Sequence, residues 1–278
     1  MTPMTWKPID AADPERFEKA RYQVHSAVQW LARLSCSYGE ARPSLVWNAA
    51  RRAVSTGPLD GALDRALGME LTLPAMILHF TEHGVPVRHD FELEGHTQAH
   101  VEAWILVELL HRGVDRERFS KALPYDVSAL MKGDVIEFAP EAYGPELEAL
   151  AGWYENALSI MAPNPTAPDM APNTMAPDMA PNTMVPDLAP NPMVQEWADA
   201  VICPEDLALE RVAGGVRSGF SPGLAPSGRP GFFVTAAADA RGLPPRAALP
   251  IEALPPGQAG AAAANGFLQR VPEPAHPL

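Results

Sequence analysis

A nine-residue unit, Pro-Asn-x-x-x-Pro-Asp-Met/Leu-Ala, runs three times in tandem between Met161 and Met193 and begins a fourth. Its prolines stand at positions 163, 172, 181 and 190, with a second set at 168, 177 and 186. Proline lacks an amide hydrogen and restrains the residue before it, so neither a helix nor a central strand can run through this spacing. The tract over 161–194 is expected to be an extended, disordered linker. It divides a chain of 278 residues into a long first part and a short second one.

The rest of the chain can fold. A hydrophobic content of 47% is enough for one substantial core. Charge narrows the partners. The net charge is −13, and residues 1–160 hold 15 basic against 23 acidic side chains with no basic block. Nucleic-acid binding rests on clustered cations, so no nucleic acid is expected as a partner. No stretch of eighteen apolar residues occurs, and an acidic surface suits an anionic bilayer poorly, so no membrane is expected either. The start, Met-Thr-Pro-Met-Thr-Trp-Lys-Pro, has no apolar leader, which points to the cytoplasm. Cys36 and Cys203 fit reduced thiols better than a disulfide framework.

Local patterns give the organisation. Asp13-Pro14-Glu15 opens a helix, and apolar residues at helical spacing carry it from Phe17 to about Tyr38. Short strand-like runs follow at 44–48, 52–56, 68–73, 75–80 and 86–93, with a hairpin turn at Glu82-His83-Gly84-Val85. Thr97 caps a helix to His111, and Glu141–Ile160 forms another. Residues 195–212 read as mixed, and short strands are expected at 217–220 and 231–236. Strands flanked by helices, without a βαβ alternation, indicate an α+β fold with an antiparallel sheet. The domain is expected to comprise 1–160 completed by 195–245, followed by a weakly ordered Pro/Ala/Gly-rich tail at 246–278.

No motif with a complete chemistry is legible. Gly219-Phe220-Ser221-Pro222-Gly223 matches the nucleophile-elbow pattern, but Pro222 cannot supply the oxyanion-hole amide. The acid pairs Glu146/Glu148 and Glu205/Asp206 read as solvated surface, and no cofactor motif is present. Histidines crowd one region, at 79, 83, 89, 96, 100 and 111. On the 97–111 helix, His100, Trp104, Glu108 and His111 share a stripe. Glu108 and His111 have the i, i+3 spacing of a carboxylate–imidazole metal pair, without the second such motif of a dimetal bundle. On the first helix His25, Gln29 and Arg33 recur one turn apart, either lining an anion pocket or forming a solvent face. Trp30 and Trp47, with Trp104, are candidate apolar anchors. The candidate pocket is therefore His25, Gln29, Trp30, Trp47, His100 and Trp104.

Several segments together resemble an uncharacterised bacterial protein family, a domain of unknown function. They are Val24–Arg33, Leu45–Asn48, Ser55–Leu59, Arg217–Gly223 and Gly231–Val234. The similarity covers roughly 15–160 and 198–235 and skips the repeat. Family members carry a Trp-Pro-His-His-Phe-Asp run where this chain reads Cys203-Pro204-Glu205-Asp206-Leu207-Ala208. Their aromatic Glu-Pro-x-Phe-Tyr strand corresponds to Arg229-Pro230-Gly231-Phe232-Phe233. The resemblance implies that a site built on those histidines or that glutamate is lost or altered here. The expectation is a non-catalytic small-molecule- or protein-binding scaffold. The alternative is a metal-binding protein or enzyme using the His/Glu/Trp face of the 97–111 helix.

Overall fold

The computed structural model describes residues 5–9, 13–39, 42–43, 45–59, 66–128, 130, 136–161, 200–213, 215–224, 228–236 and 247–269. The nonapeptide repeat lies outside them. Among the described residues four α-helices pack with two antiparallel sheets, an α+β architecture.

Helix α1 (Pro14–Tyr38) is the spine. Asp13 caps it, its carboxylate accepting from the amides of Glu15 at 3.0 Å and Arg16 at 3.3 Å. One buried face was expected. Instead every residue from Ser26 to Ser35 is buried, because α1 lies between other elements and has no solvent side over that length.

The first sheet runs β1 (Val46–Asn48), β2 (Ala53–Ser55), β3 (Gly68–Thr72), β4 (Ile77–Glu82), β5 (Val85–Pro86), with β6 (Phe91–Glu92) also paired to β4. The β4–β5 hairpin turns through His83 and Gly84, whose φ of 49° and 74° give the left-handed pair that matches strand twist. The second sheet is a meander of β7 (Val201–Cys203), β8 (Ala208–Ala213), β9 (Val216–Leu224), β10 (Arg229–Ala236) and β11 (Ala247–Pro250). The sheets meet where the Ile202 amide donates to Leu45 O at 2.7 Å. Helix α2 (Gln98–His111) follows β6. Helix α3 (Gly144–Met161) packs on β8, β9 and the last helix, α4 (Gln258–Leu268). One apolar core joins all these parts, with Trp6, Trp153, Tyr154, Phe220 and Phe232 forming an aromatic chain through it.

Two sequence expectations are corrected. Residues 201–212, read as mixed, form two paired strands. The supposedly weak tail is folded from 247 to 269. Trp6 and Gly257 exchange backbone hydrogen bonds at 2.9 and 2.8 Å, and Asn265 Nδ2 donates to Ile160 O at the end of α3. Alanine is the best helix former, and a run of it makes a helix thin enough to sit close against α3.

A largely buried polar cluster ties the β1–β2 turn to β3 and β4. Glu70 on β3 is directly paired with His79 on β4 and accepts two hydrogen bonds from Arg51, at 2.7 and 2.5 Å. Burial alone would raise the Glu70 carboxyl. The approach of His79, at 3.5 Å, and the Arg51 guanidinium outweigh it and hold the carboxyl down at about 2. A group lowered on folding stabilises the protein above its unfolded value and loses that contribution as pH falls toward the folded one. From 4.5 down to about 2 this corresponds to about 3 kcal/mol. Urea unfolding should therefore show Glu70→Gln well below wild type at pH 7, with the gap narrowing steadily below about pH 4.5. A gap unchanged down to pH 3 would refute this role.

Candidate functional site

The residues nominated as one pocket occupy separate settings. His25 Nε2 and Gln29 Nε2 both donate to the carbonyl of Pro204, at 2.9 and 2.7 Å. They are a clasp between α1 and the turn after β7, neither an anion pocket nor a solvent face. Burial pulls the His25 imidazole below its ordinary value, against the opposing effect of the Pro204 carbonyl. Arg33, next on that stripe, is 5% exposed and stacks over the Trp30 ring at 4.4 Å. Trp30 itself is core, its indole N–H donating to Gln98 Oε1. Trp47 is also core, tilted on Tyr154 at 5.1 Å. Trp104 packs on Phe80 and Phe91. His100 is exposed at the N-terminus of α2, where its Nδ1 accepts from the Thr97 amide at 3.2 Å. It stands eleven residues from His111, a rise of about 16 Å. Within one chain these groups do not converge.

Glu108 and His111 do come together, and a third residue joins them. His89, in the loop between β5 and β6, reaches the end of α2. Its Nδ1 lies 3.3 Å from Glu108 Oε1, and His111 Nδ1 lies 3.6 Å from the same oxygen. One ligand atom from each of the three residues falls within 4.8 Å of the others. Helical geometry explains the Glu108–His111 half, since i and i+3 are neighbours on a helix surface. The other half depends on a backbone rarely used by side-chain-bearing residues: His89 has φ of +80°.

The carboxylate is held rigidly. Glu108 is 3% exposed, and its second oxygen, Oε2, accepts from Arg112 Nη2 at 2.7 Å. Arg112 in turn donates to Arg88 O at 3.3 Å and Glu82 Oε1 at 3.5 Å, and its guanidinium stands over the Phe80 ring at 5.1 Å. Oε2 thus faces a fixed cation while Oε1 faces two imidazoles. The histidine side chains are open to solvent, 66% exposed for His89 and 59% for His111.

This arrangement can hold a cation. In a tetrahedral site with bonds of about 2.1 Å, neighbouring ligand atoms stand about 3.4 Å apart. The two Glu108–imidazole separations already match. Two imidazoles and one carboxylate form the donor set of open zinc sites and of non-haem iron centres. Arg112 supplies the outer contact that orients a ligating carboxylate. The i, i+3 pair was legible in the sequence, but nothing in the local sequence at His89 indicates that its loop folds back to α2.

A second concave feature lies elsewhere. Trp6, Phe17, Trp153, Pro230, Ile251 and Leu254 line a cleft of about 640 Å³, with the Arg229–Glu252 ion pair among its walls. None of the six nominated pocket residues borders it. His25 alone borders a different groove, of about 520 Å³, beside α1.

No protein-family model, curated protein or solved structure matches this chain. No helix among the described residues is long and apolar enough to cross a membrane.

Proposed function

We propose that this protein binds a divalent first-row cation, zinc foremost, through His89, Glu108 and His111. The observation that carries the reading is the convergence of three ligand atoms within 4.8 Å around a carboxylate already oriented by Arg112. The three ligands come from two separate segments, so an ion would tie the β5–β6 loop to α2. Such an ion binds the folded state selectively, and the form of histidine that ligates it is the neutral imidazole. The resemblance to an uncharacterised bacterial family supplies no activity to this reading.

Thermal unfolding tests it. Zinc at a hundred times its dissociation constant should stabilise the chelator-stripped protein by about 2.7 kcal/mol. The shift should disappear in His89→Ala and His111→Ala and persist in His83→Ala, whose exposed side chain sits in the β4–β5 turn. No shift in wild type, or an equal shift in His89→Ala, would refute the reading.

The scaffold reading, binding a small molecule or protein without catalysis, draws on the cleft beside Trp6 and Trp153. Its volume is within the range of ligand pockets, and its walls are mainly apolar. Saturable binding of anilinonaphthalenesulfonate to the native protein, lost in Ile251→Arg and with no zinc shift, would favour this reading instead.

A further inference from the structure

Helix α2 buries Val101, Ile105, Glu108 and Leu109 and leaves a second apolar stripe uncovered. Ala103, Val107 and Leu110 are exposed, Val107 at 48% and Leu110 at 56%. With His100 they recur at spacings of three, four and three residues, the rhythm of a helix–helix seam. His111 borders the same stripe at its C-terminal end. The cation site on its flank has three protein ligands and an open side, whereas closed tetrahedral sites have four.

Resting on the metal reading above, we propose that the missing ligand comes from a second copy of this chain. Two α2 helices pack antiparallel across their exposed stripes, and His100 of the partner subunit closes each cation site. The stripe complements itself. A two-fold axis at the level of residue 105 sets Val107 against the partner's Ala103, and Leu110 and His111 against the partner's His100. Such an axis keeps the same flank of both helices on one side. The flank bearing His111 on one protomer therefore meets the flank bearing the partner's His100, and two equivalent sites form, one at each end of the seam.

The area involved explains why metal is required. Three small or medium apolar side chains per helix fall far short of the roughly 1,600 Å² typical of a stable protein–protein interface. The seam alone gives a weak encounter, and two shared ions supply the remainder. The chemistry at His100 is consistent with this. A metal on Nε2 requires the ring proton on Nδ1, and His96 Nδ1, 3.4 Å away, is placed to accept it. The bond from the Thr97 amide to Nδ1 is then given up.

The test is the solution mass of the untagged full chain by sedimentation velocity, alongside zinc stoichiometry. Wild type should be monomeric in chelator and dimeric with one equivalent of zinc per chain. His100→Ala should still take up zinc, at least about tenfold more weakly, the loss typical even of an outer ligand contact, and should remain monomeric. Leu110→Glu retains every ligand and should also bind zinc without dimerising at the same concentration. Zinc uptake by a wild type that stays monomeric would overturn the shared site and leave the metal reading standing. A dimer that forms equally in chelator, or a His100→Ala protein indistinguishable from wild type, would overturn it as well. Absence of zinc uptake by wild type would remove both.

Discussion

Glu210→Ala should lower the unfolding free energy by about 3–5 kcal/mol, the range for removing one partner of a buried ion pair. Glu210 is 2% exposed and Arg217 4%. Arg217 Nε donates to Glu210 Oε2 at 2.8 Å, and its Nη2 donates to the same oxygen. The pair lies across β8 and β9, where Glu210 is opposite Gly219 and Arg217 is opposite Val212. Without the carboxylate, a guanidinium remains buried beside the Phe233 ring, with the Asp206 carboxylate no nearer than 3.8 Å. Domains of this size have only about 5–15 kcal/mol in total, so the variant should be marginal. Replacing both members by Leu should recover much of the loss, because the penalty comes from the stranded charge. Denaturant unfolding of the single and double variants measures both effects. A loss below about 1 kcal/mol for Glu210→Ala would place the pair in the range of surface salt bridges.

The second large effect is expected at Gly219→Ala. A methyl there would meet Leu209 O at 2.1 Å and Glu210 Cα at 2.8 Å. Both are backbone atoms of the neighbouring strand, so no rotamer change relieves the contact. Moving β9 away would break its ladder with β8 and disturb β10, since Gly219 is paired to Glu210 on one side and Phe233 on the other. The cost should exceed the roughly 1–3 kcal/mol of ordinary overpacking. The variant should be insoluble or lack a cooperative thermal transition. Gly144→Ala is the control: nothing stands within 4 Å of its added methyl, at the first residue of α3. A folded Gly219→Ala protein melting with wild type would contradict the packing described.

Where a signal is local, the sequence carried it. Asp13-Pro14 and Thr97 marked two helix starts because capping chemistry is confined to a single turn, and Glu82–Val85 marked a hairpin through its glycine. Residues 201–213 and 247–269 were less legible. β7 and the first half of β8 are largely buried, while β11 is an edge strand with no buried residue, so neither shows the simple alternation of a half-solvated strand. The Ala-rich segment owes its order to a neighbour distant in sequence. The site followed the same division. Glu108 and His111 share one helix face and could be paired by spacing. His89 reaches them only through the fold, and its left-handed backbone leaves no residue-type signature. His25, Gln29 and Arg33 had the periodicity of a solvent face, yet the layers around α1 bury Gln29 and Arg33 and half-bury His25. Periodicity locates a polar stripe; what covers it is a tertiary property.

Equilibrium dialysis of zinc against chelator-stripped wild type, His89→Ala and His111→Ala tests the cation site most directly. One zinc per chain is expected for wild type, with occupancy lost in both variants at the same free zinc. Zinc-free wild type at saturating metal, or full occupancy retained without His89, would contradict the assignment of His89, Glu108 and His111 as ligands.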